Sequence, residues 1–524
     1  MKHVLRSSAG EEEEMAIVES VDVVGDGRRR MRIASPATGQ PIGDVPVNDA
    51  DEVRAVVARA RRAQPAWEGL GFDGRAAVML RALDTLLRRQ EQTIDVIVRE
   101  TGRSRFETIM MEIFPACDSL AYYAKHAGRV LSDRRLPMHL LKTKKLLVSY
   151  RPLGVVGIIT PWNGPFILSL NPTVQALMAG NAVVLKPSEV TPFSGRLVAE
   201  LFRDAGLPDG VLGLVEGDGE TGAALVDAGV DKISFTGSVR TGRKVGEACG
   251  RNLVPCTLEL GGKDPMIVCA DADVERAAGG AVFGAFMNAG QFCCSTERVY
   301  VVETIADEFT RRVLEKTRTL KLGTDGDFDI GPMIWPRQLE TIERHVAEAV
   351  AKGAKVLAGG KRATEVGDLF YEPTVLVDVT HEMAVMREET FGPILPIVRV
   401  ADEEAALRLA NDTTYGLAAN VWTRDAARGV RLAKQLHAGS VCVNETAIAY
   451  GAVEAPFGGR RTSGVGQVNG ETGLRGYCFA QPILSDRLGL KDEHVWYPYT
   501  ADKAKTLQKV MRWMWGTRVG RWLA

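Results

Sequence analysis

The chain has 524 residues, 45% hydrophobic and 25% charged, the balance of a soluble protein with two or three domains rather than a single core. Its 65 basic and 66 acidic residues leave a formal net charge of −1, so nothing draws the whole surface toward nucleic acid. Eight scattered cysteines lack C-x-x-C spacing, which argues against a zinc knuckle, any other bound metal or a disulfide framework, and points to a reducing, cytoplasmic setting.

Residues 1–20 carry Glu11-Glu12-Glu13-Glu14 where a signal peptide has its apolar segment, and read as a mobile terminus. No apolar run reaches ~18 residues, the length that would span a bilayer. Residues 31–47 read as short strands. Residues 51–66 and 75–99 have aliphatic residues at helical spacing, as core-facing stripes do. From Val155 onward a strand–turn–helix pattern repeats. Apolar runs at 155–159, 182–185, 211–215 and 232–235 end in turns rich in Gly, Pro, Ser and Thr. Runs apolar on both faces and alternating with helices imply a covered parallel sheet, whose strands' carboxyl ends are where ligands bind. Gly217 to Gly222 matches G-x-G-x-x-G but lacks the expected acidic residue downstream, so a plain tight turn explains it equally well. Gly237, Ser238 and Gly242 open a helix whose free N–H groups suit a phosphate. Lys186 and Glu189 are either a solvated pair or a donor and acceptor for ribose hydroxyls; a carboxylate there repels a 2′-phosphate.

Glu259 stands between Leu258 and Leu260 beside Gly261-Gly262, where partial desolvation raises a carboxyl toward the range of a general base; a structural Glu is the equal alternative. A helical segment, 273–288, leads into Gly290-Gln291-Phe292-Cys293-Cys294-Ser295, and a β-branched run follows at 299–302. Two thiols on such a loop can face a cleft, although most free cysteines are buried hydrophobes. None of the seven histidines sits in a motif that would partner a protease thiol. Strand-like runs at 375–377, 394–398, 421–422 and 441–443 indicate a second α/β domain, and 145–150 and 476–483 read as exposed edge strands that seek a partner. The tail, 485–524, holds Trp496, Trp513, Trp515 and Trp522. From Ala501 it has six basic residues against Asp502, with Leu507, Met511, Met514 and Trp515 on one helical face and Gly516 breaking the helix. Such a helix packs on its own enzyme or a neighbouring subunit, or lies in a membrane interface.

Seven stretches in order, Pro161-Trp162-Asn163, Lys186-Pro187-Ser188-Glu189, Phe235-Thr236-Gly237-Ser238, Glu259-Leu260-Gly261-Gly262-Lys263, Gly290-Gln291-Phe292-Cys293, Glu389-Thr390-Phe391-Gly392-Pro393 and Pro456-Phe457-Gly458-Gly459, resemble the NAD(P)-dependent aldehyde dehydrogenase superfamily. The resemblance implies an α/β fold: a Rossmann-like dinucleotide-binding domain (21–133 and 153–260), a second α/β catalytic domain (261–475) and a small β oligomerisation arm (134–152 and 476–484), followed by the extension 485–524. It makes Cys293 the nucleophile, Asn163 an oxyanion donor and Glu259 the base that hydrolyses the thioester. It places the dinucleotide against Ile159, Thr160, Trp162, Lys186, Glu189, Gly219, Gly237, Ser238, Gly242, Leu260, Glu389 and Phe391. The expected cofactor is NAD, with NADP as the alternative. The expected substrate is a hydrophobic or aromatic aldehyde, and the expected assembly a homodimer or homotetramer. Departures are Pro172, where many members carry Lys, Arg461, where Lys is usual, and the extension itself. A CoA-acylating semialdehyde dehydrogenase is the alternative enzyme, against which Glu259 argues, and a non-catalytic member of the fold is the third reading.

Overall fold

The computed structural model describes residues 18–22 and 29–523. Of the terminus expected to be mobile, residues 1–17 lie outside the described residues, while Val18–Asp22 pairs antiparallel with Arg29–Ala34. Arg29–Ala34 pairs in turn with Pro41–Pro46, and alternation along these strands turns Met31, Ile33 and Val45 inward. The helix Ala50–Gly69 opens on a capping box, with Asp49 accepting from the Glu52 N–H and Glu52 accepting from the Asp49 N–H. The helical pattern of residues 75–99 forms two helices, not one, Gly71–Arg88 and Gln90–Thr101. The chain leaves helical geometry at Arg89 (φ −107°, ψ 15°), letting each stripe face the core at its own angle.

Two sheets carry the site. The first has the order Gly464–Val465, Cys256–Glu259, Lys232–Thr236, Val155–Ile159, Ala182–Lys186, Leu212–Leu214. Its strands are parallel except Gly464–Val465, which pairs antiparallel with Leu258 and Glu259. Every residue of Val155–Ile159 and Ala182–Lys186 is buried, as apolar runs covered on both faces require. The helix Ile167–Met178 is buried throughout, and Pro172 lies inside it. The second sheet has seven strands in the order Lys355–Ala358, Thr374–Val377, Ile394–Val400, Thr296–Val302, Asp264–Val268, Ala418–Trp422, Ser440–Val443; only the first is antiparallel. Only Leu260 to Lys263 separate the last residue of one sheet's strand, Glu259, from the first of the other's, Asp264.

A third, small sheet stands apart. Lys144–Pro152 pairs with Cys478–Asp486 over its whole length, and Arg134–Leu136 lines its other edge. Phe479, Ile483, Leu484 and Leu136 are exposed there. Among the described residues, no helix is long and apolar enough to cross a membrane. The tail forms the helices Ala501–Gly516 and Arg518–Leu523, and the first buries no side chain against the rest of the chain.

Candidate active site

Where the two sheets meet, a cavity of about 220 Å³ is lined by Trp162, Asn163, Gly237, Ser238, Glu259, Leu260, Cys293, Glu389 and Phe391, among others. Nine sequence-predicted residues thus share one space. Thr236–Ser238 lies at one side, where Ser238 caps the helix Val239–Asn252 and accepts from the Thr241 N–H at 3.2 Å. Gly237 donates its N–H to the Glu259 carbonyl at 3.0 Å, tying this turn to the strand that carries the carboxyl. A Cβ at Gly242 would stand 2.4 Å from the Leu260 side chain, so glycine is what lets the helix approach that wall. Ile159 and Thr160 end the central strand behind it. Lys186, buried, donates to Glu189 Oε2 at 3.2 Å. Gly219 is exposed at the mouth of a neighbouring helix and does not line the cavity; a turn there serves the Asp218 cap and its ion pair with Arg29.

The thiols differ. Cys293 lines the cavity, whereas Cys294 is buried with Leu417, Phe457 and Val468. The hydrogen bond with Cys294, burial and the nearby Glu259 carboxylate hold the Cys293 thiol well above its ordinary range, so at neutral pH it rests protonated. Glu259 is buried with neither carboxyl oxygen hydrogen-bonded. Burial first, and then the Glu389 carboxylate, push it up to about 8. Glu389 is likewise raised to about 8 by burial and by Glu297, and accepts from the Gly262 N–H at 3.0 Å. Behind it, Lys263 donates to Glu297 Oε2 at 2.5 Å, and Glu297 accepts the N–H groups of Thr390 and Phe391, which anchors that loop. The Phe391 and Trp335 rings both stand edge-on to Trp162, at 5.4 Å and 6.2 Å.

The expected helix 273–288 ends at Phe286. Asn288, Ala289 and Gly290 then take left-handed geometry in succession (φ 53°, 52° and 73°). Such backbone in Asn and Ala is unfavourable and persists only where surroundings hold it. They do so here. Asn288 donates to the Gln291 carbonyl at 2.9 Å and to the Asn163 carbonyl at 3.1 Å, and the Asn288 N–H is accepted by Glu107. Arg103 ties this group together, donating to Asn288 Oδ1 at 2.9 Å, to the Asn163 carbonyl at 2.5 Å and to Glu112 at 2.9 Å. Glu112 in turn accepts the Phe166 and Ile167 N–H groups. The Asn163 amide donates to the Gln291 carbonyl at 3.1 Å, on the same side of the cavity as Cys293.

Arg103, Glu107, Glu112 and Asn288 were not foreseen. They are scattered over 185 positions and carry no local spacing: Arg103 lies in a loop, Glu107 and Glu112 in the helical turns after it, and Asn288 just past a helix end. Arg103→Lys keeps the charge but loses the guanidinium fork. It is expected to destabilise the chain by about 3 kcal/mol, because Glu112 stays buried without its full complement, as urea unfolding would show. It should also lower kcat at unchanged KM for the dinucleotide, since the residues it holds are Asn163 and the Cys293 loop.

The geometry fits a nicotinamide dinucleotide: the cavity runs from a capped helix N-terminus to an accessible thiol, and its walls close on glycines. Comparison with known proteins agrees. The Aldehyde dehydrogenase family matches residues 23–483. A Mycobacterium ulcerans protein provisionally named succinate-semialdehyde dehydrogenase (NADP(+)) 2 is 42% identical over 478 residues, 91% of this chain and 92% of that one. The 4,4'-diapolycopene aldehyde oxidase of a Methylomonas species is 40% identical, covering 92% and 91%. The structure of a Mycobacterium tuberculosis aldehyde dehydrogenase complexed with NAD+ superposes with a TM-score of 0.84 at 35% identity, covering 88% of this chain and 95% of that one. The chain belongs to the aldehyde dehydrogenase family.

Proposed function

We propose that this aldehyde dehydrogenase oxidises a hydrophobic or aromatic aldehyde to the free acid, with NAD as its preferred acceptor. The observation that carries the mechanism is the convergence of Cys293, Asn163 and Glu259 on one cavity. Cys293 loses its proton to solvent water, and the thiolate sulfur adds to the aldehyde carbon, forming a C–S bond as the carbonyl π pair moves onto oxygen as an oxyanion. The Asn163 amide stabilises that oxyanion, a contribution of ~3 kcal/mol per well-aimed donor. When bound, the nicotinamide accepts the hydride whose departure turns the thiohemiacetal into a thioester. Glu259 then takes a proton from water, whose oxygen replaces sulfur at the acyl carbon and returns the thiol. An unbonded buried carboxyl of raised pKa suits that role, and a CoA-acylating enzyme would have no use for it. Lys186 and Glu189 hold the adenosine ribose, Ser238 and the helix behind it the pyrophosphate, and Glu389 and Phe391 the nicotinamide end.

Two observations support the substrate class. Among the described residues, the cavity wall includes two carboxyls, Glu259 and Glu389, and no Lys, Arg or His. Phe292 and Tyr450 pack against the cluster that holds Cys294. A substrate bearing a second carboxylate, such as succinate semialdehyde, would go unpaired there. An aldehyde panel tests this: hydrophobic or aromatic aldehydes should exceed succinate semialdehyde in kcat/KM by about 10-fold or more, and the reverse order refutes the substrate class. Product analysis should show free acid without added CoA. The same panel run with NAD and NADP checks Glu189. Relatives named for NADP set the opposite expectation. Glu189→Gln should narrow an NAD preference by about 10-fold, the effect of removing one charge repulsion.

A further inference from the structure

Beyond the β arm large apolar side chains stand exposed in close succession, among them Leu488, Leu490, Val495, Trp496, Tyr497 and Tyr499. Thr500 caps the helix Ala501–Gly516, accepting from the Lys503 N–H at 3.2 Å. Leu507, Val510, Met511 and Trp515 lie along one face, each 43–49% exposed. Lys505, Lys509 and Arg512 lie on the opposite side, the arrangement of an amphipathic helix. At Thr517 the chain turns, and Arg518–Leu523 folds back: Gly520 donates to Thr517 Oγ1 at 3.0 Å and Arg521 to the Trp515 carbonyl at 2.8 Å. A Cβ at Gly520 would stand 2.1 Å from the Trp513 carbonyl oxygen, so this glycine permits the close return. Trp522 at its end is 84% exposed.

We infer that this C-terminal unit docks on an anionic lipid surface, its aromatic and aliphatic side chains entering the interfacial layer and its cations meeting the phosphates. Charge complementarity favours lipid over protein. From Ala501 the chain carries six cations and one acid, so 500 residues of enzyme body hold a net charge of −6 while the tail holds +5. An anionic surface therefore attracts the tail and repels the body, which orients the enzyme. A second copy of this tail carries the same net charge of +5, so it lacks the complementarity an anionic surface offers. The enzyme's own surface buries none of the helix's side chains. Trp and Tyr, here Trp496, Tyr497, Tyr499, Trp513, Trp515 and Trp522, are the residues that settle at a membrane–water boundary. The inference stands whatever aldehyde the enzyme prefers.

The test is co-sedimentation of the full chain with vesicles of phosphatidylcholine alone and of phosphatidylcholine with ~30% phosphatidylglycerol. Binding to the anionic vesicles, weakened by raising the salt to ~1 M, is expected. The triple variant Lys505→Gln, Lys509→Gln, Arg512→Gln should reduce that partition by about 100-fold. A chain ending at Tyr499 should lose it while oxidising a water-soluble aldehyde at the full chain's rate. Equal partition of full and shortened chains overturns the inference, as does absence of binding to anionic vesicles. Loss of subunit assembly in the shortened chain, with no vesicle binding by the full one, would assign the face to a second copy instead.

Discussion

Cys293→Ala is expected to lower kcat/KM by at least about 10⁴-fold, while Cys294→Ala leaves it within about 3-fold. The two sulfurs are chain neighbours that share one apolar cluster but differ in their access to the cavity. Cys293 opens on the cavity that holds Asn163 and Glu259; Cys294 packs among Leu417, Phe457 and Val468. Removing the first deletes the only cavity-lining thiol. Removing the second trims a buried sulfur, which should appear as a loss of about 1–2 kcal/mol in urea unfolding rather than in turnover. Because the hydrogen bond with Cys294 is the foremost cause of the raised Cys293 thiol, Cys294→Ala should also shift alkylation of Cys293 by iodoacetamide to lower pH. Equal loss of activity in both variants would remove Cys293 from its role.

Glu259→Gln is expected to slow steady-state turnover by about 10²–10⁴-fold while a burst of NADH, one per site, survives rapid mixing. The carboxyl acts as a base only when ionised. With its pKa raised to about 8, roughly a tenth of the sites are ionised at pH 7, so deacylation should climb nearly tenfold per pH unit below 8 and level off above. The sign follows from the cause: burial and the Glu389 carboxylate both disfavour the ionised form, so acid removes the active state. Glu259→Gln should abolish that rising limb. A variant that lost the burst along with turnover would move Glu259 from hydrolysis to the earlier, thiol-activating step.

Strands such as Val155–Ile159 and Ala182–Lys186 were legible because uninterrupted apolar runs bounded by turns have few other uses. Glu259 was legible for a related reason: a carboxyl set between leucines and glycines cannot stay well solvated. Of the two stretches read as exposed edges, Cys478–Asp486 is one, whereas Lys144–Pro152 is the middle strand, flanked by it and by Arg134–Leu136. What local pattern could not reveal was adjacency. Gly464–Val465 reaches back about 200 residues to pair with Leu258 and Glu259, and its two residues carry no strand signal of their own. Arg103 is buried and holds Asn163 and Asn288, a role no local pattern marks because its partners are distant in the chain. The break at Arg89 was missed since both helices share one periodicity. Gly219, placed against the dinucleotide by the resemblance, lies outside the cavity lining, as do Ile159, Thr160, Lys186, Glu189 and Gly242.

The short passage from Glu259 to Asp264 makes the gap between base and sulfur a property of how two rigid bodies meet. Gly261 and Gly262 are spacers in that joint: a Cβ on the first would stand 2.0 Å from the Glu389 carboxylate, and on the second 2.7 Å from the Cys293 carbonyl oxygen. A methyl group at Gly262 would press on the thiol loop, and one at Gly261 on the Glu389 side chain, neither touching a reacting atom. The alignment of the chemistry is therefore set by two absent side chains as much as by those present.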